Sequence, residues 1–280
     1  MAKAKREMQS RLKLADVIIE VLDARAPFST QNPDLHAMTA GKPRVAVLNK
    51  EDLANPKASL HWLSHFAAAG VIAVPFSAIK SGKHAQLLSA LNRAASGVVE
   101  KWAKKGAVRP VRAMVVGIPN VGKSSVINAL SGQARTKVGA SPGVTRGQQW
   151  VRIAHNLELM DTPGVLWPKF EDVRVARHLA YLNAIRSEVL EAIPLAQELI
   201  DEVRKIAPGA ISLRYKQPES GLSADVLARI ATARGLLLRA GALDLERAAN
   251  IVLDEFRAGK TGRITLEWPQ EETGDDTAGA

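Results

Sequence analysis

The run Gly117-Ile118-Pro119-Asn120-Val121-Gly122-Lys123-Ser124 matches G-x-x-x-x-G-K-[ST] in full, a spacing that suits a nucleoside phosphate. Gly122 lets the backbone turn tightly around phosphate oxygens, and N–H groups at the start of the following helix meet their negative charge. Lys123 would reach the β- and γ-phosphates, and the Ser124 hydroxyl would sit on Mg²⁺. Asn120, Val121 and Ser125 complete the candidate phosphate-binding set.

Two later segments carry the matching metal chemistry. Asp161-Thr162-Pro163-Gly164 follows Ser124 by 37 residues; Asp161 would act on the metal through water, and the Gly164 N–H would meet the γ-phosphate. Between them, Ser141-Pro142-Gly143-Val144-Thr145-Arg146-Gly147 has a mobile-loop composition, and Thr145 is assigned as the second hydroxyl on the metal. Lys123, Thr145 and Gly164 are thus the candidates for contact with the reacting phosphate. None of the six histidines has an unambiguous general-base role. His61 and His65 could share a helical face, yet without acidic or cysteine companions they read as packing or surface histidines.

Base choice rests on Asn49-Lys50-Glu51-Asp52. A carboxylate at Asp52 can accept from both N1–H and the exocyclic amine of guanine, whereas adenine offers no matching donor pair. Asn49 would brace neighbouring loops, and the Lys50 stem can lie over the base. Ser77-Ala78 supplies a second base-side loop, the Ala78 N–H donating to the guanine carbonyl. These features imply GTP hydrolysis to GDP and phosphate. The guanine loop precedes the phosphate loop, the reverse of the usual order, so the site would assemble from a circularly permuted chain.

The elements that must position these groups follow from alternating signals. Strand-like runs at residues 17–22, 45–48, 71–76, 111–116, 150–153 and 157–160, with helical stretches at 61–69, 85–95 and from 125, predict an α/β domain with a largely parallel sheet. Beyond residue 179 helices are expected at 195–206, at 223–233 with Ser223 as its N-cap, and at 245–256. The division is a permuted P-loop GTPase domain at 1–179, a small all-α domain at 180–269 and a disordered acidic tail at 270–280.

Taken together, these motifs resemble the circularly permuted GTPases of the YlqF/RbgA family, bacterial factors in large-subunit ribosome biogenesis. The resemblance extends to Met1-Ala2-Lys3-Ala4, Asp23-Ala24-Arg25-Ala26-Pro27, Pro142-Gly143-Val144-Thr145 and Phe256-Arg257-Ala258-Gly259-Lys260-Thr261-Gly262-Arg263. It implies a GTP-dependent factor in late maturation of the large (50S) subunit, with 23S rRNA as partner and the C-terminal helical module holding it. It leaves two roles for Asn120: a K⁺ ligand, as in cation-activated relatives, or a stiffener of its loop. Family members share an aromatic-Pro-Gly-His segment just before the match to Met1, and that histidine is thought to help position attacking water. Either such a segment precedes Met1 or the protein lacks the group. Val165 stands where many GTPases carry a water-orienting glutamine and cannot hydrogen-bond through its side chain. Slow turnover alone, stimulated by the large subunit, is the expectation.

Composition agrees. A hydrophobic content of 46% supports packed cores rather than disorder. The absence of cysteine excludes disulfides and thiol nucleophiles, and no signal-peptide or membrane-spanning run is visible, so a cytoplasmic monomer without integral membrane association is expected. Residues 1–179 carry 26 Lys/Arg against 12 Asp/Glu, whereas residues 180–280 carry 12 against 16. A basic GTPase domain suits a polyanion larger than one nucleotide, and the resemblance implies that it is RNA and not DNA, contacted through phosphate and shape. Its densest stretch, Arg93, Lys101, Lys104, Lys105, Arg109 and Arg112, should lie in the exposed segment joining the ancestral ends. Lys3, Lys5, Arg6, Arg11 and Lys13 form a second patch. Two classes remain: a GTP-hydrolysing assembly factor, or a GTP-sensing RNA- or protein-binding module with incidental hydrolysis.

Overall fold

The computed structural model describes residues 9–79, 84–132, 150–162, 172–185, 191–239 and 241–269. Six strands, β1 (Val17–Asp23), β2 (Arg44–Asn49), β3 (Ile72–Pro75), β4 (Val111–Val116), β5 (Val151–Ala154) and β6 (Leu157–Asp161), form one sheet in the order β3-β2-β1-β4-β6-β5. All neighbours run parallel except β5, which pairs antiparallel with β6. Every residue of β1 is buried, as expected of a central parallel strand rich in Val and Ile. Its side chains alternate between two cores: Ile19 and Val21 join Val45, Val47 and Leu87, whereas Leu22 joins Leu48, Trp62 and Phe66 on the opposite face.

Helices cover both faces. Preceding β2 is α1 (Pro33–Met38), which the sequence reading missed although Asn32 caps it and Pro33 opens it. Next comes α2 (Pro56–Ala68), capped by the Asn55 side chain and starting five residues before the expected 61. The long α3 (His84–Ala103) follows, so Arg93 and Lys101 of the basic stretch are helical, Lys104, Lys105 and Arg109 lie in the irregular residues 104–110, and Arg112 is on β4. The phosphate-loop helix is α4 (Lys123–Ser131).

Downstream, α5 (Val173–Tyr181), α6 (Ala192–Ile206), α7 (Ala210–Tyr215), α8 (Ser223–Ala233) and α9 (Leu245–Arg257) follow in turn. Leu195, Leu199, Ile200, Val226, Ile230, Val252 and Phe256 build a separate helical core. Leu222 rather than Ser223 is the N-cap of α8, with no side-chain capping bond. The two units share α5, since Leu179 packs into the sheet core while Ala180 and Tyr181 pack into the helical one. Beyond α9 the chain turns back: Ile264 N–H donates to Leu53 O at 3.2 Å and Leu266 N–H to Arg25 O at 2.7 Å.

Candidate nucleotide site

Strand register brings the motifs to one edge. Asp23 is level with Asn49, and Val115 with Asp161, so the guanine-type loop after β2, the phosphate loop after β4 and Asp161 of β6 all emerge at the carboxyl edge of the parallel strands, with β1 between β2 and β4, where open α/β sheets bind ligands. Gly117 has φ +150°, and a Cβ there would lie 2.6 Å from Val21 O. Gly122 has φ +95°, and a Cβ there would lie 2.3 Å from Asn49 Nδ2. Glycine at 122 therefore does more than turn the backbone: it leaves room for the Asn49 amide, which donates to Val121 O at 2.8 Å. Lys50, at φ +60°, donates from Nζ to Asn120 O at 2.7 Å and pairs with Asp23 Oδ2 at 2.9 Å. Two side chains of the guanine-type loop thus hold the phosphate loop.

On the phosphate side, Lys123 is 8% exposed and donates to Ile118 O at 3.0 Å. Burial pushes its ammonium down to about 8, opposed by the charge of Asp161. Ser124 Oγ donates to Asp161 Oδ2 at 3.0 Å, while Asp161 Oδ1 is buried with no hydrogen-bond partner. Burial raises the Asp161 carboxyl, with the Ser124 bond, Lys123 and the Thr162 N–H pulling the other way. A hydroxyl and an unsatisfied carboxylate oxygen side by side fit Mg²⁺, which takes one or two protein oxygens and fills its shell with water and phosphate. Among the described residues no group of three or more His, Cys, Asp or Glu could hold a metal alone. Asn120 Nδ2 donates to Asn183 O, a contact that stiffens the loop. Thr145, Gly164 and Val165 lie outside the described residues.

On the base side, a cleft of about 500 Å³ is lined by the predicted Asn49, Lys50, Asp52, Ser77, Ala78, Gly122 and Ser125. The two base-side loops are joined by Glu51 N–H donating to Phe76 O at 3.1 Å. The sequence reading missed Leu53, Ile79, Asn128, Ala129, Arg257 and Ala258, which complete the lining. The first four stand next to predicted residues or on α4. The last two come from the end of α9, and their only sequence signal was the stretch from Phe256 to Arg263.

A family model described as 50S ribosome-binding GTPase matches residues 112–215. A "Ribosome biogenesis GTPase A" of Bacillus cereus is 38% identical over 97% of this chain and 92% of its own length. The chain belongs to the ribosome biogenesis GTPase A family. The namesake from Thermotoga maritima is 31% identical over 97% of this chain and 93% of its own length. A GNP-bound YlqF from T. maritima superposes with a TM-score of 0.69 at 29% identity, covering 96% of this chain and 99% of that one. As a family member the chain is a GTP hydrolase of ribosome biogenesis that binds GTP and GDP, and its permuted, largely parallel sheet is the family's fold. Among the described residues no helix is long and apolar enough to cross a membrane.

A buried polar cluster joins residues around the sheet core to the helical core. His178, fully buried, contacts Glu267 Oε1 through Nδ1 at 2.8 Å and Glu202 Oε1 through Nε2 at 2.7 Å. Ser29 donates its hydroxyl to the same Glu267 oxygen. Burial disfavours the imidazolium, but bonds to Glu202 and Glu267 outweigh it and raise His178 to about 9. Its polar partners among the described residues are Ser29, Glu202 and Glu267, so this histidine links segments far apart in the chain.

Proposed function

We propose that this GTPase acts in late maturation of the large ribosomal subunit, binding 23S rRNA in the GTP state and releasing it on hydrolysis. The observation that carries the reading is the Asn49–Val121 bond through the gap at Gly122, which makes base recognition and phosphate binding parts of one site. In that site Asp52 reads guanine, with the Ala78 N–H meeting the guanine carbonyl. Lys123 would stabilise charge on the β- and γ-phosphates, and Ser124 and Asp161 would hold Mg²⁺, which would supply charge stabilisation for in-line attack of water on the γ-phosphorus. Thr145 and Gly164 complete the γ-phosphate side. The description of the matched family model as ribosome-binding at 50S supports the choice of subunit.

RNA contact is supported by the exposed Arg93, Lys101, Lys104 and Lys105 on and after α3, charges that suit phosphate rather than base readout. The working division is a GTPase domain at 1–179, a helical rRNA-holding domain at 180–269 and an acidic tail at 270–280, in a cytoplasmic monomer. Turnover is slow alone and stimulated by the large subunit, and a K⁺ dependence would assign the Asn120 oxygen to that ion. The decisive experiment is co-sedimentation with large-subunit particles in GDP and in a nonhydrolysable GTP analogue. Retention by the analogue alone is expected; no retention in either, with unstimulated hydrolysis, would point to a nucleotide-sensing module of another partner.

A further inference from the structure

The stretches Asp23 to Pro27 and Phe256 to Arg263, which the sequence reading could quote but not explain, meet beneath the guanine-type loop. Arg25 is 2% exposed. Its Nε and Nη2 donate to Asp23 Oδ1 and Oδ2 at 2.9 and 2.8 Å, and its Nη1 donates to Phe256 O and Arg257 O at 3.2 and 3.0 Å. Those carbonyls belong to the last turn of α9, where a cation is favoured. Burial alone would raise the Asp23 carboxyl, but Arg25 and Lys50 beside it hold it far below the usual carboxylate range. One carboxylate therefore anchors both Lys50 of the guanine-type loop and the last turn of α9.

The segment after α9 then caps the turn that carries Asp52. Arg263 donates from Nε to Ala54 O at 2.8 Å and from Nη2 to Glu51 O at 3.0 Å. Gly259, at φ +72°, brings its Cα so near that a Cβ would lie 2.6 Å from Leu53 Cδ2. Arg257 and Ala258 face the cleft from this side. The Arg257 guanidinium is already committed, to Tyr181 O at 2.9 Å and Ala180 O at 3.1 Å, so this side offers wall rather than a phosphate ligand.

We infer that the helical unit forms one wall of the guanine pocket, with Ala258 bounding the base and Arg263 positioning the turn that presents Asp52. Nucleotide affinity is then shared between the two units, and guanine binding and docking of the helical unit strengthen each other by the same factor. The inference rests on the reading of this cleft as the guanine pocket.

Ala258 is exposed, so the added bulk of Ala258→Leu enters the cleft without disturbing a core. In titrations of the full chain with fluorescent GDP, this variant should lose roughly tenfold or more in affinity at an unchanged Tm. Arg263→Ala should lose about 3- to 10-fold, the worth of one or two hydrogen bonds. It should also show a smaller preference for GDP over inosine diphosphate, which lacks the amine that Asp52 would accept; a merely structural arginine would lower Tm and leave that ratio unchanged. If both variants bind GDP like the parent while Asp52→Asn still turns preference toward xanthosine diphosphate, the wall is overturned and the guanine reading stands. If Asp52→Asn leaves the preference unchanged as well, the pocket assignment falls and takes the wall with it.

Discussion

The phosphate side and the base side of this cleft are built in different ways. Gly117 to Ser125 runs without a break from the end of β4 into the first turn of α4, so most of its geometry is local backbone geometry plus two glycines, with Asn49 and Lys50 bracing it from elsewhere. The base side has no such continuity: Asn49, Ser77, Gly122 and Ala258 line it from distant points in the chain, and Asp23, Arg25 and Arg263 hold it from outside the cleft. A locally encoded site depends on a few atoms that touch ligand, whereas an assembled one depends equally on groups that never do. Substitutions should separate the two kinds of dependence.

The largest effect is expected on the phosphate side. Lys123→Ala removes a buried donor aimed at developing charge, and stimulated GTP hydrolysis should fall by about 10²–10³-fold while the fold persists. Single-turnover kinetics checks this, and parental turnover would remove Lys123 from its role. On the base side, Asp52→Asn should cost on the order of 2–4 kcal/mol of GTP binding through an unmet polar group and shift preference toward xanthosine triphosphate. Competition between GTP and xanthosine triphosphate is the measurement. An unchanged preference for GTP would show that the base is read elsewhere.

Gly122→Ala probes the seam between the sides. Its Cβ would collide with Asn49 Nδ2 and the backbone would be strained at positive φ, so GDP affinity should fall by roughly tenfold. Because part of that loss passes through Asn49, the double variant Gly122→Ala/Asn49→Ala should cost less than the two single losses added. Full additivity would mean that Asn49 does not couple the loops.

The smallest effect concerns the link between units. His178 is raised from 6.5 to about 9, so its stabilisation is complete below pH 6.5 and is lost as pH rises through about 9. Tm should fall by a few degrees between pH 7 and 10, and His178→Gln should flatten that part of the profile. A parallel fall in both proteins would assign the pH dependence to other groups.

What could be read from the sequence follows the same division. The phosphate loop was legible because its residues are contiguous and each type has one steric or electrostatic reason to be there. The strands were legible because β1, β2 and β4 are mainly apolar, Val-rich runs, nearly all of whose residues are buried. Helix starts were less so: Asn55 and Pro56 signal the start of α2, but the apolar spacing becomes regular only later. Lys50 was expected over a base, yet nothing near it in sequence foretells its bond to Asn120 O. The bond from Arg25 to Arg257 O joins residues 232 positions apart, and no periodicity or local propensity encodes such a contact.

Strand order also decides when the site comes into being during synthesis. Domains generally begin to fold from the end made first, and here β1, β2 and β3 leave the ribosome before their central neighbour β4. Until residue 116 has emerged, one edge of β1 has no partner to bond, although the guanine-type loop is already made. Arg263, which bonds that loop, is made only after β4 and every helix of the helical unit. The base side of the cleft therefore takes its folded form later than the phosphate side, once the helical unit has been made.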